Sequence, residues 1–145
     1  MPLLSPSAKL VDGFGVFLTA AALLDWDPVT LDTGADWPML EGPDMPTSPN
    51  RLVIVTATEP VFVRATATSN VQVRLRGSVD AGVDEVLEQA ERIRRVFYPN
   101  GFPLVHATLG TLRVGEVRHL NGLVLSPDES RRFGHVQNYR VRFRP

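Results

Sequence analysis

The sequence predicts an α+β fold in which two helices pack on one face of a mostly antiparallel sheet. Three observations carry this. Apolar residues recur with a period near 3.6 in only two stretches, residues 7–24 and 80–97. The extended, β-branched segments follow one another in runs instead of alternating with helices. Two of them, VQVRLRG at 71–77 and YRVRFRP at 139–145, alternate apolar residues with arginine, as a strand buried on one side does. A chain of 145 residues is expected to form one domain over 1–145, burying about two thirds of its unfolded surface without disulfides.

The first helix is expected over 7–24, where Leu10, Val11, Phe14, Phe17, Leu18, Ala21 and Leu24 recur at steps of three and four, with Ser5 or Ser7 as N-cap. Gly13 and Gly15 weaken it. Residues 25–50 hold Pro28, Pro38, Pro43, Pro46 and Pro49, which excludes a continuous helix or a central strand. The segment reads as a long Pro-rich loop, and loops of that length inside compact domains are usually functional or bound to something. It carries Trp26, Trp37, Met39, Leu40 and Met45, including both tryptophans of the chain. Such residues suit a partner's groove, or else they cap the protein's own core.

A strand is expected at 52–57 within RLVIVTATE, interrupted by Glu59-Pro60, then an extended piece from about 61 to 64. The strand that follows, about 66–77, puts Val71, Val73 and Leu75 on one face and Gln72, Arg74 and Arg76 on the other. The second helix, 80–97, has Asp80 as cap, Asp84 and Glu85 at its positive end and Arg94 and Arg95 in its last turn. Val83, Val86, Leu87, Ala90, Ile93 and Phe97 form its apolar stripe, Glu88/Arg92 and Glu91/Arg95 are i,i+4 pairs, and Pro99-Asn100-Gly101 stops it. Strands follow at roughly 103–108, 111–119, 122–126 and 135–144, with a hairpin turn at Asn121-Gly122 and another turn near Pro127-Asp128. In the last strand Tyr139, Val141 and Phe143 share one face, and Arg140, Arg142 and Arg144 the other.

Little in the sequence points to catalysis. There are no cysteines, so disulfides and thiolate metal sites are excluded. No signal peptide is expected from MPLLSPSAKL, and FGVFLTAAALL is too short to cross a bilayer. His106, His119 and His135 fall on strands without metal-ligand spacing, and nucleophile-elbow, Walker and dinucleotide motifs are missing. Asp25/Asp27 sit in the loop, and Asp84/Glu85 are explained by the helix dipole. No catalytic residue, cofactor or metal is expected, and the protein reads as a non-enzyme.

The arginine face is the feature that asks for a function. Residues 1–59 carry eight acids against Lys9 and Arg51, a net of −6, whereas residues 60–145 carry thirteen arginines against eight acids, a net of +5. The halves can pair within one copy or between copies. Arg74, Arg76, Arg140, Arg142 and Arg144, with Trp26, Trp37, Met39 and Met45, are therefore the candidate residues for an interface or a lumen. The alternative is contact with DNA phosphates, against which stand the mildly acidic composition and the lack of aromatics interleaved with the arginines.

Four stretches in this order carry a resemblance: GPDMPTSPNRLVIVT (42–56), NVQVRLRG (70–77), DEVLEQAERIRRVFY (84–98) and SPDESRRFGHVQNYRVRF (126–143). Over roughly residues 40–145 the chain resembles the small tail terminator (minor capsid, tail completion) proteins of long-tailed bacteriophages. The resemblance implies an α+β structural subunit of the virion, assembled in the host cytoplasm and located in the tail or neck. Such a subunit assembles as a ring, usually a hexamer, on the last ring of the tail tube, ends tube polymerisation and offers a surface to the head connector. Its implied partners are other copies of itself, the tail tube protein and the head connector or stopper protein, with non-specific contact to genomic DNA in the lumen and no membrane. A head-to-tail connector component of the same neck is the alternative within that setting, and a DNA-contacting α+β protein the alternative outside it. The length and tryptophan content of the loop at 25–50 depart from the family pattern.

Overall fold

The computed structural model describes residues 5–31 and 34–144. In chain order its elements are α1 (Pro6–Ala20), β1 (Met39–Glu41), β2 (Leu52–Ala57), β3 (Val61–Val63), β4 (Thr66–Arg76), α2 (Val83–Val96), a 3-10 turn (Pro99–Gly101), β5 (Leu104–Leu109), β6 (Leu112–Leu125) and β7 (Gly134–Phe143). The strands form one sheet in the order β1-β2-β4-β7-β6-β5, with the short β3 also pairing with β4. All pairs are antiparallel except β1 with β2. The fold is α+β, with both helices packed on one face of the sheet.

The alternation read in the sequence becomes two faces. Val71, Val73, Leu75, Tyr139, Val141 and Phe143 are buried in a single apolar cluster with Leu10, Phe14 and Leu18 of α1 and Val86, Ala90 and Ile93 of α2. An aromatic chain ties the layers, since Phe97 lies 4.9 Å from Phe14 and 4.9 Å from Tyr139 between ring centroids. Such pairs add about 0.5–1.5 kcal/mol each beyond burial. The Tyr139 hydroxyl donates to Gln137 Oε1 (2.8 Å), and Gln137 Nε2 donates to the Ala90 carbonyl (2.6 Å), so these two buried side chains are partnered across the β7–α2 seam.

Several elements differ from the sequence reading. α1 starts at an Ser5 N-cap, whose hydroxyl accepts from Ala8 N (3.2 Å), but it stops at Ala20 because Ala22 turns to φ +59. Its glycines serve close packing: a Cβ on Gly13 would lie 2.7 Å from the Leu109 carbonyl oxygen, and one on Gly15 would lie 2.3 Å from the Trp26 ring. α2 begins at Val83 after Gly82, and Asp80 does not cap it; Asp80 pairs instead with Arg131 at 2.9 Å. Its buried stripe takes in Gln89, whose amide donates to the Leu23 carbonyl, while Leu87 is 40% exposed.

Asn121-Gly122 is not a turn. β6 runs through it, with Asn121 opposite Asn138 and Gly122 opposite Gln137, and register shifts at 114/116 and 119/121 absorb the extra residues. Glycine at 122 leaves room for His135, since a Cβ there would come 3.0 Å from that ring and the ring would have to give by a few tenths of an ångström. The tight hairpin is at Gly110-Thr111, where Gly110 has φ +60 and Leu109 pairs with Leu112.

The notch at Gly15 yields a test with an unusual sign. Gly15→Ala should raise helix propensity by about 1 kcal/mol. Displacing the Trp26 ring should outweigh that gain, at about 1–3 kcal/mol. A lower melting temperature is expected, and a raised one would show that the ring is not seated there.

Candidate functional site

The register of β4 with β7 settles where the arginines point. Arg74 stands opposite Val136, Asn70 opposite Arg140 and Thr68 opposite Arg142, all on the face away from the helices. β6 extends this face with Arg118, directly across from Arg140, and Glu116, across from Arg142. Like charges facing each other destabilise a sheet, and Glu116 relieves this by accepting from Arg118 Nε and Nη2 at 3.2 Å. Hydrogen bonding to Arg118, with Arg142 nearby, holds the Glu116 carboxyl below the usual range. Arg113 and Arg118 were not singled out from sequence. Their alternation in LRVGEVR is broken by the Gly115 irregularity, which hides the period.

One end of this face is covered by the protein itself. Residues 42–50 cross the outer side of β2 and β4. Pro43 O accepts from Arg74 Nη1 (3.0 Å) and Asn50 O from Arg76 Nε (3.0 Å), and the carbonyls of Pro46 and Pro49 accept from the Arg76 guanidinium. Arg132 donates to the Thr47 carbonyl (2.7 Å) and to Asp128 Oδ2 (2.8 Å). The cause is elementary: proline-rich chain cannot pair regularly, so its carbonyls need donors, and a guanidinium has five N–H groups in a fixed fork. Arg76 is therefore 6% exposed and Arg132 7%, with Leu52 and Ile54 fully buried on the same side. Burial, then the adjacent Arg132, lowers the Arg76 pKa from its ordinary value. Arg76 is internal, where the sequence reading had it facing outward with its neighbours.

The loop's large apolar residues also have places at home. The Trp26 indole donates to Asp12 Oδ1 (2.9 Å) beside the Gly15 notch. Trp37 and Met39 are buried in the main cluster, and the Arg51 guanidinium stacks over Trp37, 5.4 Å from its centroid. Met45 is half-buried. The segment is not structureless, for β1 forms inside it and Asp25 bridges to Pro38.

What remains bare is Arg140, Arg142 and Arg144. Arg142 and Arg144 border an open groove of about 850 Å³, lined also by Lys9, His106, Arg113 and Thr66. No acidic residue lines it. At the opposite edge of the sheet, around β1, Asp25, Asp27, Glu41 and Asp44 are exposed. Among the described residues, no ion pair joins an acid of residues 1–59 to an arginine of residues 60–145.

His106 is exposed, whereas His119 and His135 come together under α2, both close to Gly122. Burial lowers both pKa values, with Arg94 adding to the effect on His119 and His119 itself on His135. Among the described residues no cluster of three or more His, Asp or Glu is placed to hold a metal ion, and no helix is long and apolar enough to cross a membrane.

The sequence matches no protein-family model and no curated protein. Among solved structures the chain is similar to a chain from the virion of a native gene transfer agent particle, at 12% identity and a TM-score of 0.51, over 96% of each chain. That likeness is one of fold.

Two measurements check this geometry. Arg76→Ala leaves three carbonyls without their donor and should cost about 2–4 kcal/mol. Limited proteolysis should then cut within 42–50 before any other site. For the histidines, the folded pKa values lie below the ordinary value near 6.5, so the unfolded chain takes up protons first. Their contribution is complete above about pH 6.5 and is lost as the pH falls from there through the folded values. Melting temperature should fall between about pH 6.5 and 5, above the range where carboxylates titrate, and His135→Leu should flatten that slope.

Proposed function

We propose that this chain is a structural protein of a phage-type virion that assembles as a ring, a hexamer by the family resemblance, at the head-proximal end of a tail tube. There it ends tube growth and joins the tail to the head connector. The observation that carries the reading is the fold likeness to a chain of a gene transfer agent virion along nearly the whole length of both. The order of the four resembling stretches supports the tail terminator role within that class.

The geometry supplies what such a role needs. A closed ring uses a heterologous interface, so each copy must present two different, complementary patches. The bare cations beside β5–β7 and the exposed acids around β1 are two such patches at opposite sheet edges. Arg140, on the outer face away from both edges, is available to a lumen or to a partner ring, where a genome's phosphates or a neighbour's carboxylates are the matching chemistry. The reading calls on binding surfaces alone, with no catalytic step and no cofactor.

Electron microscopy of particles from a phage that encodes this chain, made with and without it, tests the role. Overlong tail tubes in its absence are expected. Tails of normal length that fail to join heads would move the assignment to a neck connector, and unaltered particles would refute a virion role.

A further inference from the structure

We propose that the basic groove bordered by Lys9, Arg113, Arg142 and Arg144 receives the acidic rim of a second copy of this chain, the exposed carboxylates Asp25, Asp27, Glu41 and Asp44 around β1. The inference rests on the ring reading above and names its contact.

Charge complementarity selects the occupant. The groove holds four cations and no anion along its lining, and Lys9, Arg113, Arg142 and Arg144 are in no ion pair among the described residues. The rim carries four exposed acids that are likewise in no ion pair among the described residues. Asp25 and Asp27 are fixed in place, because Asp25 N donates to Trp37 O (2.9 Å), Met39 N donates to Asp25 O (3.0 Å), and Asp27 Oδ1 accepts from Val29 N (2.8 Å). Asp25 thus pairs along the outer edge of β1, while the groove lies at the β5 side of the same sheet.

Opposite edges cannot meet within one copy. Between copies they meet head to tail, and each addition leaves one groove and one rim open until rotation closes the ring. Guanidinium forks on carboxylates give the contact orientation. Much of the groove and rim remains wet, so association is expected to weaken steeply with salt. Double-stranded DNA is the competing occupant. The groove's cations suit phosphates as well, but DNA leaves the exposed acids around β1 without a counterpart.

Lys9 is the only lysine in the chain, which makes the contact directly readable. Equal amounts of isotope-labelled and unlabelled protein are mixed and treated with a carbodiimide, which joins a lysine amine to a touching carboxylate without a spacer. Peptides of mixed isotope joining Lys9 to Asp25, Asp27, Glu41 or Asp44 are expected. Their yield should fall about tenfold or more in the Arg113→Glu, Arg142→Glu double variant, checked for folding by circular dichroism. It should also fall at ~1 M salt. Links from Lys9 to carboxylates elsewhere, or only within a copy, overturn the proposal. So does salt-dependent retention of duplex DNA that the double variant loses while no intermolecular link forms. The tail phenotype is read separately: overlong tubes without the link sink the groove contact alone, and the link with unaltered particles sinks the virion role alone.

Discussion

The long antiparallel ladder between β4 and β7 is the constraint on which the rest depends. It runs from Ala67 opposite Phe143 to Arg76 opposite Gly134 and brings together segments some seventy residues apart in the chain. Because side chains alternate with a period of two, this one register sends Val71, Val73, Tyr139 and Val141 toward the helices and Arg74, Arg140 and Arg142 away from them. A slip by one residue would place guanidinium groups against Phe14 and Phe97. Burial on one side and charge on the other therefore specify the same pairing from opposite directions.

The arginines produced by that sorting divide into two kinds of use. Arg76 and Arg132, and in part Arg74, spend their donors on the carbonyls of 43–50, and so turn a proline-rich stretch into a fixed cover over Leu52 and Ile54. Arg140, Arg142 and Arg144 find no such partner. A charge satisfied internally stabilises the fold, and one left open is available to another molecule. In this chain the boundary between the two runs across a single sheet face.

The strands at 52–57 and 66–77, the last strand, both helices and the side to which Arg74, Arg140 and Arg142 point were legible in the sequence, since period and composition agreed locally. The Asn121-Gly122 turn was misread because the dipeptide has two physical uses, and the close approach of His135 needed the fold to be seen. Asp80 was misassigned as a cap because Gly82 starts the helix two residues later. The internal role of Arg76 and the groove at Lys9 and Arg113 depend on contacts across 26 or more residues, such as Arg76 with Asn50, for which no local pattern exists. The cover over β2 was likewise hidden, as proline content signals only what the segment cannot be.

The seating of Trp26 against Gly15 has a practical consequence. The chain has two tryptophans, and both report on the loop at 25–50 and the helices beneath it: one ring lies in a notch of α1 with its indole on Asp12, the other under the Arg51 guanidinium. None lies on β4, β6 or β7. Tryptophan emission from this protein thus reports on how residues 25–37 seat against α1 and the main cluster, and an optical signal that changes while the far-ultraviolet dichroism holds would mark that segment lifting before the fold melts.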